Sequence, residues 1–220
     1  MKILDLLEEL PPTIEYHDEL NPAIWDGEIM KDEIRQILLK IADSFIQSLE
    51  MPSFKAVDII LTGSSANYNY TPTSDIDLHI VADFKKIQPD CDITEEFFDA
   101  KKSLWNNKHN VTINGQKVEL YVQDISHKLA SAGIYSVTNN KWIQQPSYEP
   151  FDFDDAEVIA KLDPLLDEIR ELLHDPLSTE EDYDAMITKI YDLRQTGLTK
   201  NGEKSLENIL FKVLRNYDIV

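Results

Sequence analysis

The 220-residue chain has one cysteine, six glycines and few basic side chains. A single cysteine, Cys91, excludes an internal disulfide and means that any zinc site would need other ligands. No uncharged apolar run reaches the length of about 18 residues that a membrane span requires, and Asp5 interrupts the N-terminus before a signal-like stretch develops. These absences predict a cytoplasmic chain with no membrane partner.

Positive charge is also scarce, since 21 Lys and Arg face 41 Asp and Glu, for a net charge of −20. Such an excess disfavours a protein whose main task is to grip a phosphate backbone, so extended DNA is not an expected partner. Residues 85–146 are the exception, with 8 basic and 7 acidic side chains. This middle segment is the one expected to meet an anionic ligand, unless its lysines form an ordinary solvated face.

Apolar residues make up 42% of the chain, which is enough to bury a core, and their spacing predicts an α+β fold. The expected class is a mixed β-sheet flanked by helices, followed by a C-terminal helical bundle. The predicted domains are residues 1–150, which include a long N-terminal helix, and residues 151–220. The predicted elements are helices at 28–50, 94–106, 156–174, 179–196 and 204–216, strands at 57–62 and 75–81, and hairpins around Asn114-Gly115 and Asn139-Asn140.

Several residues are expected to punctuate these elements. Thr94 is predicted to cap the second helix, because a threonine there precedes two glutamates in the first turn. Gly197 and the Asn201-Gly202 pair are both interpreted as helix stops. Asp163-Pro164 is expected to kink or restart its helix.

The chemistry-bearing pattern is Gly63-Ser64, a spacer of ten residues, and then Asp75-Ile76-Asp77. Residues two apart on a strand share a face, so both carboxylates are expected to point together. Paired negative charges are costly without a cation, and oxygen ligands favour a hard ion such as Mg²⁺. Gly63-Ser64 follows a strand, where backbone N–H groups and a hydroxyl can receive phosphate oxygens.

The first hairpin offers a third acid. In its second strand the apolar side chains of Val118, Leu120 and Val122 share one face, which leaves Glu119 and Tyr121 on the other. If this strand neighbours the Asp75–Asp77 strand, three carboxylates converge. Such a set can hold two metal ions that stabilise the attacking and leaving oxygens of a displacement at phosphorus.

This combination resembles the nucleotidyltransferase superfamily typified by DNA polymerase beta. The stretch from Gly63 to Tyr70, with Ser74-Asp75-Ile76-Asp77-Leu78-His79, is most similar to small predicted nucleotidyltransferases of tailed bacteriophages. The resemblance implies that Gly63 and Ser64 hold nucleotide phosphates and that Asp75 and Asp77 ligate two Mg²⁺ ions, for which Mn²⁺ can substitute. It also implies that Glu119 ligates one metal and helps to activate an acceptor hydroxyl.

Further candidates carry open alternatives. Ser65 and Lys141 are candidates for nucleotide contact, although Lys141 and Trp142 are better explained as hairpin packing residues. His79 either touches a phosphate, orients Asp77, or is a hydrogen-bonded structural histidine. Arg194 and Lys200 are candidates for closing over a triphosphate.

The predicted activity is transfer of a nucleoside monophosphate from an NTP to an acceptor hydroxyl, with release of pyrophosphate. The acceptor is left open among a small molecule, a protein hydroxyl and an RNA end. One alternative is a catalytically silent binding or inhibitory module with the same fold. Another is a synthase that makes an oligonucleotide second messenger from NTPs alone.

Overall fold

The computed structural model describes residues 16–71, 74–88, 90–129, 131–148, 155–202 and 205–216. Residues 16–148 form one compact unit, and the described residues from 155 onward belong to a second. The predicted domain boundary at 150/151 lies outside the described residues.

The first unit is built on a six-stranded mixed sheet with a separate two-stranded ribbon. Its ribbon strands are β1 (Trp25–Asp26) and β2 (Ile29–Met30), and its helices are α1 (Asp32–Ser48), α2 (Phe84–Ile87) and α3 (Cys91–Lys108). The sheet strands are β3 (Ala56–Thr62), β4 (Ile76–Ala82), β5 (Thr112–Ile113), β6 (Gln116–Asp124), β7 (Ile134–Ser136) and β8 (Lys141–Gln144).

The strand order is β5-β6-β4-β3-β7-β8. Strands β4 and β6 pair in parallel, whereas β3 pairs antiparallel with both β4 and β7. Both predicted hairpins are confirmed. Their turns place Asn114, Gly115 and Asn140 at positive φ, which Asn and Gly tolerate better than other residues.

One face of the sheet forms the core. Leu61, Leu78 and Leu120 lie side by side on β3, β4 and β6, and each is at most 1% exposed. They belong to the same apolar cluster as Leu38 and Phe45 of α1 and as Phe98 of α3. Since side chains alternate along a strand, the other face is left for the intervening residues.

Two helices begin three or more residues away from their predicted starts. Helix α1 begins at Asp32 rather than 28, because the chain before it pairs as the β1–β2 ribbon. Helix α3 begins at Cys91, where the Asp90 carboxylate accepts a hydrogen bond from the Ile93 N–H. Thr94 is therefore not the cap; it lies inside the helix, and its hydroxyl donates to the Asp90 carbonyl.

The second unit contains α4 (Asp155–His174), α5 (Glu180–Asn201) and α6 (Leu206–Asn216), packed around a core of its own. Pro164 lies within α4. The prediction that Gly197 stops a helix is wrong, because α5 continues to Asn201 and ends at Gly202, where φ is +68°. Gly197 instead permits a close approach, since a Cβ there would lie 2.5 Å from Ser205 Oγ.

The outer edge of β6 is paired with β5 only over its first two residues. Beyond that point Asn106 of α3 takes the place of a neighbouring strand. Its side-chain amide accepts from the Leu120 N–H at 3.2 Å and donates to the Leu120 carbonyl at 3.0 Å. One side chain therefore satisfies both backbone groups of an edge residue.

The mixed sheet flanked by helices and the helical C-terminal region confirm the predicted α+β class. Within the described ranges, no helix has the length and apolar content needed to cross a bilayer.

Candidate active site

The predicted neighbourhood of β4 and β6 is present in the structure. Asp77 is paired in register with Glu119, and Thr62 at the end of β3 pairs with Asp77 from the other side. Residues paired across neighbouring strands share a face and lie about 4.8 Å apart. Asp77 and Glu119 therefore sit side by side on the face opposite the leucine core.

Gly63 lies directly against Asp77. A Cβ built on Gly63 would be only 1.9 Å from Asp77 Oδ2, and the glycine has φ of +71°. Any other residue at this position would collide with the carboxylate and would also strain the backbone. The structure thus supplies a local reason for the glycine of the Gly63-Ser64 pair.

The turn after Gly63 is fastened to the start of β4. Residues Ser64–Ala66 form a single 3₁₀ turn. Ser64 Oγ donates to Ser74 Oγ at 2.9 Å, and Ser65 Oγ donates to the Asp75 carbonyl at 2.7 Å. In addition, the buried Trp25 indole donates to the Ser65 carbonyl at 2.8 Å. These bonds fix the turn relative to Asp75 and Asp77.

Ser65 has a structural role in this turn. Its side chain is fully buried, and its hydroxyl is donated to the Asp75 backbone, so it holds the loop in place. The Gly63 N–H is likewise bonded, to Ser131 Oγ at 3.1 Å. The first N–H groups of a helical turn have no partner within the turn, so the backbone of Ser64 and Ser65 remains the local feature suited to an anion.

Sequence reasoning missed two buried amides that support the site. Asn21 Nδ2 donates to Gln116 Oε1 at 3.1 Å, and Gln116 Nε2 donates to the Ser74 carbonyl at 3.0 Å. These two hydrogen bonds join Asn21 to Gln116, 95 residues apart, and Gln116 to Ser74, 42 residues apart. Ser74 immediately precedes Asp75. Pairings over such separations leave no periodic signal in the sequence.

Both carboxylate oxygens of Glu119 accept hydrogen bonds from its own strand. Lys117 Nζ donates to Oε1 and the Tyr121 hydroxyl donates to Oε2, each at 2.8 Å. The Lys102 ammonium lies 4.7 Å from the centre of the Tyr121 ring. Lys117 and the Tyr121 hydroxyl therefore hold the Glu119 carboxylate in position.

His79 is a hydrogen-bonded structural histidine, one of the roles left open by the sequence. Its Nδ1 donates to Gln123 Oε1, and its ring stacks on Tyr121 with centroids 4.7 Å apart. Burial lowers its pKa to about 4, against a smaller raising effect of the Gln123 hydrogen bond. At neutral pH the ring is uncharged, so it brings no positive charge to a phosphate.

Lys141, Arg194 and Lys200 are the remaining candidates. Lys141 is exposed at the start of β8, which is separated from β4 by β3 and β7. Trp142 is a packing residue, because its indole donates to the Glu28 carbonyl at 2.8 Å and stacks on Trp25. In the helical unit, Arg194 bonds Asn208 and lies 4.3 Å from the Phe211 ring centre, while Lys200 is exposed.

The site has some of the features that a divalent cation requires. The donors are carboxylate oxygens, as Mg²⁺ prefers, and Asp77 and Glu119 stand side by side. Asp75 precedes the first residue of β4 and is half-buried. Among the residues that the structure describes, no three His, Cys, Asp or Glu side chains are grouped closely enough to hold a metal ion. The three-carboxylate metal set therefore stays a prediction.

Comparison with models of known protein families gives a match. The family model described as "Nucleotidyltransferase domain" matches residues 28–140, which cover α1, strands β3 to β7 and the Gly63–Glu119 region. No curated protein and no solved structure matches the chain significantly. Because the match spans more than half of the 220 residues and includes the aligned acids of β4 and β6, the chain belongs to the nucleotidyltransferase domain family.

Proposed function

We propose that this protein transfers a nucleoside monophosphate from an NTP to an acceptor hydroxyl. The acceptor oxygen forms a bond to the α-phosphorus, and the bond from that phosphorus to the bridging oxygen breaks. Pyrophosphate leaves with the electron pair, and the acceptor proton passes to Glu119. ATP is the first NTP to test.

The observation that carries this proposal is the pairing of Asp77 with Glu119 on neighbouring strands. Gly63 lies beside this pair, so close to Asp77 that no side chain would fit. Two adjacent carboxylates next to an anion-receptive turn suit a reaction in which negative charge develops at phosphorus. The β4–β6 pairing and the serine bonds hold these groups before substrate arrives, which lowers the cost of orienting them during the reaction.

Mg²⁺ is the proposed cofactor, as two ions, with Mn²⁺ as a substitute, and Asp75, Asp77 and Glu119 are the residues that would hold them. When bound, the metal ions would supply Lewis acidity and neutralise charge on the phosphates. The chain itself positions the carboxylates, and the backbone N–H groups of Ser64 and Ser65 are the proposed contacts for phosphate oxygens. Lys117 would have to yield one Glu119 oxygen to a metal ion.

The test is incubation of the full chain with labelled NTPs, Mg²⁺ or Mn²⁺, and a panel of acceptors. The panel contains total RNA, a cell lysate and small hydroxyl compounds. We expect metal-dependent label on one acceptor class, and no label with Asp75→Asn or Asp77→Asn at unchanged thermal unfolding. Full turnover by both variants would refute the proposal.

The acceptor class is distinguished by salt. Binding to an RNA end should weaken steeply as salt rises, because bound counterions are released, whereas a neutral small acceptor should respond little. Incubation with four NTPs and no acceptor tests for an oligonucleotide product. The finer similarity to enzymes of tailed bacteriophages, and with it a place in the host cytoplasm, remains a prediction.

A further inference from the structure

The site face of the sheet continues from the carboxylates into an open groove. The groove has a volume of about 550 Å³, and seven of its lining residues are aliphatic: Val57, Ile60, Val81, Ile125, Leu129, Ile134 and Ile143. We call it the Ile60 groove. Its size lies within the range of about 300–1,000 Å³ that small-molecule sites occupy.

Register places this groove beside the proposed reaction centre. Ile60 pairs with His79, two residues along from the pair of Thr62 with Asp77, so its side chain lies on the same face as Asp77. Two residues along a strand span roughly 7 Å. Ile134 precedes Tyr135, which pairs with Leu61, so the groove also reaches the level of Thr62.

Three of the polar side chains that line the groove already have partners. Asp58 accepts from Ser136 Oγ at 2.8 Å, and Gln123 bonds His79. Gln144 Nε2 donates to the carbonyls of Ser131 and Ala132. What these residues leave for a ligand is mainly aliphatic surface.

Three aliphatic side chains of the groove are unusually exposed for their type. Val57 is 50%, Ile125 53% and Ile143 56% exposed, and they come from three separate segments that border one cavity. Exposed apolar side chains gathered at one place mark a binding surface more often than a solvated face.

The charges of the groove match a neutral occupant. Asp58 carries one negative charge and Lys128 one positive charge, and both line the cavity. His127 also lines it, with Glu95 at 4.0 Å. A nucleic acid strand would need a row of cations, which this lining does not provide.

We infer that the Ile60 groove binds the body of the acceptor, and that the acceptor is a small neutral hydroxyl compound with an apolar ring or chain. This inference rests on the proposed function, and it names the substrate class. The apolar body lies over Ile60, and the hydroxyl points toward Asp77 and Glu119. There its oxygen bonds to the α-phosphorus, pyrophosphate departs, and Glu119 takes the proton.

The first experiment measures binding without NTP or metal. The probe is 2-naphthol, a neutral fluorescent compound with one hydroxyl and an apolar body, titrated into the full chain. We expect saturable binding at one site, at least ten-fold weaker in Ile125→Asp and in Ile143→Asp. Leu104→Asp is the matched control, because Leu104 is 68% exposed on α3, outside the groove lining.

Thermal unfolding of all variants checks that each one folds. Equal binding by the two groove variants and the control would overturn the inference. So would a lack of saturable binding.

The second experiment measures transfer of label from an NTP to 2-naphthol or to glycerol, which has hydroxyls but no apolar body. We expect at least ten-fold more label on 2-naphthol, and a raised KM with little change in kcat in the groove variants. Label that goes to RNA or protein, and is unchanged by the groove variants, overturns the inference while the proposed function stands. If no acceptor is labelled, the proposed function fails, and the binding experiment still decides whether the groove takes apolar ligands.

Discussion

On one face of the six-stranded sheet, Leu61, Leu78 and Leu120 lie in register and are at most 1% exposed. In the adjacent row on the opposite face, Thr62, Asp77 and Glu119 lie in register. Both rows therefore come from the same three strands, and each residue of one row is next in sequence to a residue of the other. The leucines gain stability from burial, whereas the carboxylates lie together at an electrostatic cost that a cation can offset. Substitutions on the two faces should separate stability from chemistry.

The largest effect is expected from Glu119→Gln on the carboxylate face. The change keeps the shape of the side chain and removes its charge and basicity, so transfer should fall on the order of 10³-fold. The free energy of unfolding should change by less than about 1 kcal/mol, since Lys117 and Glu119 form a partly exposed pair. Labelled-NTP transfer and thermal unfolding measure the two quantities.

The exposed Asp43→Asn on α1 is the control for Glu119→Gln and should leave both quantities unchanged. A Glu119→Gln protein with full turnover would remove the functional distinction between the two faces.

Leu120→Ala on the core face should lower stability and leave transfer activity largely unchanged. Removal of a side chain that is 1% exposed leaves a cavity and lowers the free energy of unfolding by about 2–5 kcal/mol. Turnover per folded molecule should remain, because the neighbouring Glu119 keeps its partners. Denaturant unfolding and active-site titration measure these quantities. A loss of turnover without a loss of stability would contradict the comparison.

Gly63→Ala tests the point where the turn meets the carboxylate face. The new Cβ would meet Asp77 Oδ2 at 1.9 Å, so Asp77 must shift, and transfer should fall about 10²-fold as its geometry is lost. Gly115→Ala is the matched control, because Gly115 also has positive φ but would place its Cβ more than 4 Å from any other group.

Both glycine variants should lose about 1–2 kcal/mol of stability from backbone strain, and only Gly63→Ala should lose activity. Equal activity in the two variants would show that contact with Asp77 is unimportant for transfer.

Tyr121→Phe should have the smallest effect. It removes the hydroxyl that donates to Glu119 Oε2 and keeps the ring that stacks on His79. Transfer should fall about ten-fold through looser positioning of Glu119, with stability changed by about 1 kcal/mol or less. The metal concentration for half-maximal activity should shift as well. An unchanged metal dependence would show that Tyr121 is purely structural.

The sequence predicted the elements whose signals are local. The Asn114-Gly115 turn and the alternation around Glu119 were sufficient for the hairpin, and the stripe of α1 was sufficient for a helix. The helix start at Cys91 was missed because Asp90 outcompetes Thr94 as the cap. Gly197 was misinterpreted because its small size serves a contact with Ser205, which becomes visible only in three dimensions.

The candidate site was predicted in the same uneven way. The juxtaposition of Asp77 and Glu119 depended on a strand order that the sequence suggested only conditionally. Lys141 was proposed from its residue type. Its strand, β8, is separated from β4 by β3 and β7, an order that the sequence did not predict. The amides Asn21 and Gln116 make pairings over long separations, which no spacing rule anticipates.

The Asn106 amide has a consequence for self-association. An uncovered margin of a β-sheet templates the addition of foreign strands and promotes aggregation. By occupying both backbone groups of Leu120, Asn106 blocks intermolecular pairing at that residue, one position away from Glu119. Loss of this side chain would therefore promote aggregation through β6, the strand that also carries the candidate catalytic acid Glu119.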